Sequence, residues 1–313
     1  MTESPRNWQV ERPDGTILGG LRWDVPQPRG LVYIAHGLAE HVARYDRFAL
    51  ALNQAGLAVA GHDHRGHKLS VTDPSMRGHF ADRDGFRLMV EDLAAGMADW
   101  QDAHPDSPMV LFGHSMGSFM VQSMLTRGLG SYDMAILSGT AGPPPPLAAV
   151  GRLIARIQRA VKGARGTSRL IQSLAFEAHN KPYEPAPTKL EWLSRDRAEV
   201  DGYVADPWCG FDATIASWLS LFDGLPQLTS PAALKRLPGA TPILLTSGEN
   251  DPIGGNGDGV RKLSDLYQQN GVTDLTLTLY PDARHEILNE TNRDQVMADI
   301  IGWIEARLKP SGA

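Results

Sequence analysis

Two alternating runs near the start, WQVERP and TILGGLRWDV, flank Asp14-Gly15, a pair that predicts a β-hairpin. Beyond it, continuous apolar runs alternate with segments whose apolar residues recur every three or four positions. LVYIAHG (31–37), LAVAGHD (57–63), PMVLFG (108–113) and MAILSGT (134–140) have the length of buried strands. RYDRFALALNQAG reads as a helix ending at Gly56. DGFRLMVEDLAAGMADWQDAH reads as one whose Leu88, Met89, Asp92, Leu93, Gly96, Met97 and Trp100 stack along one side. Strands alternating with helices of this length imply βαβ units and a mostly parallel sheet.

The alternation stops at GPPPP (142–146), and from there to about Pro238 helical pieces follow one another without a convincing strand. It resumes with TPILLTSGEND (241–251), a helix over GVRKLSDLYQQNG, the strand LTLTLYP and a terminal helix from about Asn292 to Leu308. This pattern divides the chain into an α/β core, residues 1–141 and 239–313, and a helical block, 142–238, inserted after the sixth strand. Such a block is most simply a cap over the strands' carboxyl ends, where open α/β sheets bind ligands.

Composition narrows the function. The 30 basic and 36 acidic side chains leave a net charge of −6, which argues against a nucleic-acid binder. The single cysteine, Cys209, excludes an intramolecular disulfide, fits a reducing compartment and reads as a small buried apolar residue. MTESPRNWQVERPDG has no apolar signal region, and no stretch approaches the roughly 18 apolar residues of a membrane span. The expectation is a cytoplasmic protein, at most bound to a surface.

The candidate chemistry lies in LFGHSMGSF (111–119). Ser115 sits where the strand PMVLFG meets the next helix, and Gly113 and Gly117 suit a turn too sharp for neighbouring Cβ atoms. Gly113-His114-Ser115-Met116-Gly117 is a G-x-S-x-G nucleophile turn; the bland alternative is a serine capping a helix. A serine hydroxyl needs a base, and the base an orienting acid, in the chain order serine, acid, histidine. Downstream of Ser115 only His179 and His285 remain. His179 lies in the polar stretch EAHNKPYE and reads as a surface residue, so His285, after the last strand, is the base. For the acid, the loop after ILLTSGEND offers Glu249 and Asp251. Asp251 is preferred because Pro252 breaks the chain where the strand should end, although an Asx turn would also explain it. Oxyanion donors are expected from the backbone N–H groups of Met116 and of Leu38, in the loop after LVYIAHG.

These motifs resemble the serine α/β-hydrolases that include monoacylglycerol lipases and bacterial lysophospholipases. HGLAEHVARY (36–45) is similar to that family's H-G-x-G-E-H-x-x-R-Y, DHRGHKLS (63–70) to its D-x-R-G-H-G-x-S, and GHSMG (113–117) is identical to its serine motif. The resemblance implies the α/β-hydrolase fold and a Ser115-Asp251-His285 triad. It also implies oxyanion donors at Leu38 and Met116, no cofactor, and a lipid or other small ester as substrate. It further implies that Glu40 and Arg44 help place glycerol hydroxyls; the alternative is a local ion pair at a helix start. Two positions depart from the pattern. Ala39 replaces a glycine, which matters if the loop needs a positive φ, and Lys68 replaces the glycine after His67. His62, His64 and His67 invite a zinc reading, but no clustered thiols or carboxylates complete a site, so no metal is expected.

The first cap segment, LAAVGRLIARIQRAVKGARGTSRL, reads as a helix carrying Arg152, Arg156, Arg159, Lys162, Arg165 and Arg169, with Leu153, Ile154, Ile157 and Val161 as an apolar side. Such an element either rests on an anionic membrane surface or packs its apolar side on the main domain. Esterase, thioesterase and prolyl-type aminopeptidase chemistries use the same machinery. Dehalogenase and epoxide hydrolase chemistry need Asp at the Ser115 position. An inert binding protein on the same scaffold is the alternative from outside the enzymes.

Overall fold

The computed structural model describes residues 4–145, 147–173 and 178–308. An eight-stranded sheet runs in the order β1-β2-β4-β3-β5-β6-β7-β8. The strands are β1 (Arg6–Glu11), β2 (Ile17–Trp23), β3 (Gly30–Ala35), β4 (Leu57–His62), β5 (Met109–His114), β6 (Met134–Ser138), β7 (Ile243–Gly248) and β8 (Leu275–Tyr280). The first two form the hairpin turning at Asp14-Gly15, with Glu11 opposite Ile17, and β2 joins β4 antiparallel; every other pairing is parallel.

The central strands are uninterrupted apolar runs because both faces of the sheet are covered. On β3, Leu31, Tyr33 and Ala35 join one core with Leu111, Leu137, Leu93 and Trp100. Val32 and Ile34 point the other way, into a second core with Phe112, Phe48, Leu52 and Ile300. Helices α1 (Asp46–Gln54) and 293–305 cover the second face, while α2 (Gly85–Gln101) and α3 (Met116–Arg127) cover the first.

Between β6 and β7 the described residues contain helices and loops but no strand, only an isolated bridge between Thr167 and Thr214. Residues 146 and 174–177, which include Glu177 of the EAHNKPYE stretch, lie outside the described residues. Helix α4 (Leu147–Lys162) is shorter than the sequence pattern suggests, because Gly163 takes φ +77° and ends it. Arg165 therefore lies in the following turn, and Arg169 opens a separate short helix. Among the described residues, the apolar side of α4 packs on the main core only through Ile154, beside Ala155. Ala155 is buried and Ile154 half-buried, but Val150, Leu153, Ile157 and Val161 are 49, 59, 58 and 81% exposed. No helix among the described residues is long and apolar enough to cross a membrane.

Candidate active site

Strand β5 delivers Ser115 to the first turn of α3. Its backbone takes φ +52°, ψ −119°, a strained conformation for a residue with a side chain. The turn closes only because its neighbours are glycines. A Cβ on Gly113 would lie 2.5 Å from the Gly117 carbonyl, and one on Gly117 would run into the carbonyl of Ala35 on β3. The N–H of Ser115 donates to Ser138 O at 2.9 Å, tying the turn to β6. As the first residue of α3, Met116 has no intrahelical acceptor for its own N–H.

The loop after β3 faces this turn: a Cβ on Gly37 would stand 3.2 Å from Ser115 Cβ. Gly37 N donates to Glu40 Oε1 at 2.5 Å, and Ala39 N to His67 Nε2 at 3.3 Å. The Ala39 carbonyl accepts from Tyr203 Oη at 2.8 Å and Gly210 N at 2.9 Å, both from the inserted segment. Leu38 N lies between these two engaged N–H groups, and Leu38 lines the cavity above Ser115. Ala39 takes φ +56°, so the turn keeps the left-handed backbone that a glycine would favour, with alanine in place. Lys68 forms part of a short helical turn, and its Nζ lies 3.3 Å from His41 Nε2.

Asp251 is buried just beyond β7, where Ser247 Oγ and Ile253 N donate to its carboxylate, each at 2.9 Å. His285 Nδ1 lies 3.0 Å from both carboxylate oxygens. A carboxylate only accepts, so Nδ1 carries the proton and Nε2 is left free to act as a base. Glu249, the other acid considered, is half-buried and faces Arg261 at 3.5 Å. The His285 ring is sandwiched by His114 (4.7 Å between centroids) and Trp192 (5.0 Å), and Gly139, at φ +55°, leaves room for it. Burial disfavours the imidazolium, but the Asp251 carboxylate, with Glu286 and Glu40 behind it, outweighs this and raises His285 above its ordinary value. Hydrogen bonds and the imidazole keep Asp251 below the usual carboxylate range despite its burial. Burial and the neighbouring His285 push His114 down to about 4, leaving it neutral.

Glu40 and Arg44 sit together in a buried network reaching a residue that the sequence reading passed over. Arg44 Nη1 donates to Glu40 Oε2 at 2.7 Å, and its two terminal nitrogens clasp Glu286 at 2.8 and 2.7 Å. Glu286 follows His285 directly, yet its partner is far away in the chain, so no local pattern could have pointed to the pair.

His36, His62, His64 and His67 cluster beneath the loop, mostly edge to face, with His36–His64 centroids 4.0 Å apart. They bond backbone and side-chain groups: His67 Nδ1 the Arg65 carbonyl, His64 Nε2 the His36 carbonyl, and His62 Nδ1 Tyr33 Oη. Burial lowers all four. His41, Asp206 and Cys209 bring ligand atoms within 4.8 Å of one another, but the Lys68 ammonium already stands beside this group. Cys209 is buried beside Trp192, Leu193 and Tyr203, with its thiol pushed up to about 12 by burial. His179, expected on the surface, is half-buried instead, 5.5 Å from the Trp192 ring, on the wall of an apolar cavity.

Two sizeable cavities among the described residues adjoin the site. One, of about 250 Å³, is lined by Leu38, Glu40, His114, Ser115, Trp192 and His285. The other, of about 270 Å³, is lined by apolar groups including Phe119, Ala148, Gly151, Phe222 and Leu225. Ile253 belongs to both walls.

A strained serine on a strand-to-helix turn, with a carboxylate-held histidine after the last strand of a mostly parallel sheet, defines an α/β-hydrolase. The family of serine aminopeptidases S33 matches residues 26–292, and the chain belongs to it. It is 31% identical over 305 residues to the monoacylglycerol lipase of Mycolicibacterium smegmatis, covering 93% of this chain and 95% of that one. It is 26% identical to the human monoglyceride lipase, over 96% of this chain and 90% of that one. In structure it is similar to a thermostable carboxyl esterase from Bacillus coagulans solved with glycerol. The TM-score is 0.89 at 27% identity, covering 98% of this chain and all of the other.

Proposed function

We propose that the protein is a carboxylic ester hydrolase that cleaves monoacylglycerols, or the chemically similar lysophospholipids, through an acyl-enzyme on Ser115. The observation that carries this reading is the buried Asp251 carboxylate holding His285 Nδ1 beside the cavity that Ser115 and Leu38 line. His285 Nε2 takes the Ser115 proton as Oγ attacks the acyl carbonyl, and Leu38 and Met116 N–H groups receive the oxyanion. On collapse, the imidazolium gives its proton to the leaving alkoxide, leaving Ser115 acylated. His285 then deprotonates a water that attacks the acyl-enzyme, a second tetrahedral intermediate collapses, and Ser115 recovers its proton from His285.

Segment 142–238 is the cap in this reading. The acyl chain passes Ile253 into the apolar cavity, whose lining suits a hydrocarbon and offers it little to hydrogen-bond. The exposed row Val150, Leu153, Ile157 and Val161, flanked by Arg156 and Lys162, sets α4 on an anionic lipid surface beside that cavity. An aminopeptidase reading is less well supported: Glu40 and Glu286 are bound to Arg44, so among the described residues Asp212 is a single exposed carboxylate on the cavity wall, not the cluster that would hold a substrate amine.

The test is fatty acid release from a monoacylglycerol and the matching lysophosphatidylcholine, with fluorophosphonate labelling of the serine. Release and labelling by the native protein, and loss of both in Ser115→Ala, are the expected results. Release that survives Ser115→Ala would refute the reading.

A further inference from the structure

Glu40, Arg44 and Glu286 form an ion network, its two carboxylates buried and its guanidinium partly so, in contact with both halves of the proposed machinery. Each carboxylate oxygen already accepts from the protein. Glu40 Oε1 takes Gly37 N at 2.5 Å and Tyr45 Oη at 2.9 Å, and Oε2 takes Arg44 Nη1 at 2.7 Å. Glu286 Oε1 and Oε2 take the two Arg44 nitrogens, and Oε2 also takes Asn289 Nδ2 at 3.0 Å. The guanidinium lies 4.8 Å over the Tyr203 ring, whose hydroxyl holds the Ala39 carbonyl. At one end the network grips the 37–40 turn, and at the other it grips the residue after His285.

We propose that Arg44 is a clamp between the loop bearing the base and the loop bearing the oxyanion donor. Glu40, Arg44 and Glu286 are then positioning residues for acyl transfer on any ester, rather than contacts for the alcohol. The inference rests on the ester-hydrolase reading above and assigns the network a role within it. Two physical arguments carry it. A buried ion triad adds little stability compared with apolar residues of the same volume, so its value lies in fixing geometry. The forked guanidinium fixes both partners' angles as well as their distance. Moreover, one cation and two carboxylates leave a net negative charge behind His285. Asp251, Glu286 and Glu40 favour the imidazolium that forms during proton transfer, His114 is neutral, and the opposing Arg44 cation is outnumbered by its two carboxylate partners.

The test compares the native enzyme with Arg44→Lys and Glu286→Gln on a monoacylglycerol and on p-nitrophenyl butanoate, which has no glycerol. Lysine keeps the charge but cannot fork. Arg44→Lys is expected to lower kcat on both esters by the same factor, about 10–100-fold, the scale of a misplaced reacting geometry, with KM little changed. Glu286→Gln keeps the shape of the network and is expected to move the acid limb of kcat/KM to lower pH on both esters. A merely structural role would not move that limb. Because Glu286→Gln is read by pH profile, it decides the matter even if Arg44→Lys does not fold. Loss confined to the monoacylglycerol would overturn the inference in favour of an alcohol contact. Unchanged kcat in Arg44→Lys, or an unmoved limb in Glu286→Gln, would overturn it while leaving the hydrolase reading intact. A native protein that cleaves neither ester would overturn both.

Discussion

Gly151 is the place to ask whether the apolar cavity receives the acyl chain. It lies on the inner side of α4, its Cα lining that cavity with Ala148, Phe222 and Leu225. A Cβ built there comes within 3.0 Å of the Phe222 ring, which lines the same cavity, so a larger side chain either displaces that ring or takes up cavity space beside it. Gly151→Leu adds four carbons. If they displace about four methylenes of substrate at ~0.8 kcal/mol each, the loss is ~3 kcal/mol, roughly 200-fold in kcat/KM for a chain long enough to enter. A butanoate that stops short of Ile253 loses nothing. A thermal melt separates folding from occupancy: leucine improves on glycine in a helix by nearly 1 kcal/mol, against about 1–3 kcal/mol for crowding Phe222. The assay is kcat/KM across p-nitrophenyl butanoate, octanoate, dodecanoate and hexadecanoate, alongside a thermal melt. The expected result is a break, with short esters unaffected and long ones suppressed. An equal loss at every length, or none at hexadecanoate, would refute the assignment of the cavity.

Two further predictions follow from charge and exposure. Neighbouring carboxylates raise His285, and only the neutral imidazole can take the serine proton, so kcat/KM must fall as pH drops through a midpoint above the ordinary histidine value of ~6.5; a pH–rate profile with its midpoint at or below that value would contradict the arrangement. Leu153→Asp with Ile157→Asp removes two exposed apolar contacts from α4 while leaving buried Ala155 in place. Sedimentation with phosphatidylglycerol vesicles should fall at least tenfold, at ~1.5 kcal/mol or more per lost side chain, with butanoate hydrolysis unchanged; equal sedimentation of both proteins would refute membrane contact through α4.

The sheet was legible in the chain because its central strands are buried on both faces and its connections are helices. Both leave runs and periods that survive without tertiary knowledge. α4 was legible as a basic amphipathic helix, but its end was not, since Gly163 could equally have been carried within the run. Where its apolar side faces also depended on the fold. His179 misled for a related reason: polar neighbours in EAHNKPYE suggested a surface, whereas the Trp192 ring covers it.

The site divides along the same physical line. Ser115 announces itself locally, because the turn that exposes it excludes side chains from Gly113 and Gly117. Asp251 and His285 are singled out by chain order and strand ends, which topology constrains, and the structure brings them to 3.0 Å. Glu286 has no such signature: its guanidinium partner lies 242 positions away, and that pairing exists only after the sheet has brought two loops to one edge. Tyr203 and His67, which hold Ala39 from opposite sides, are of the same kind. Reacting groups are constrained by local backbone geometry, which sequence records. The groups that buttress them are constrained by contacts between distant segments, which it does not. Departures from a family pattern, such as Ala39, are therefore read more safely through their supports than through the residue itself. With His67, Tyr203, Gly210 and Glu40 all fastening that turn, its left-handed backbone is held by the surrounding structure rather than by the absence of a Cβ.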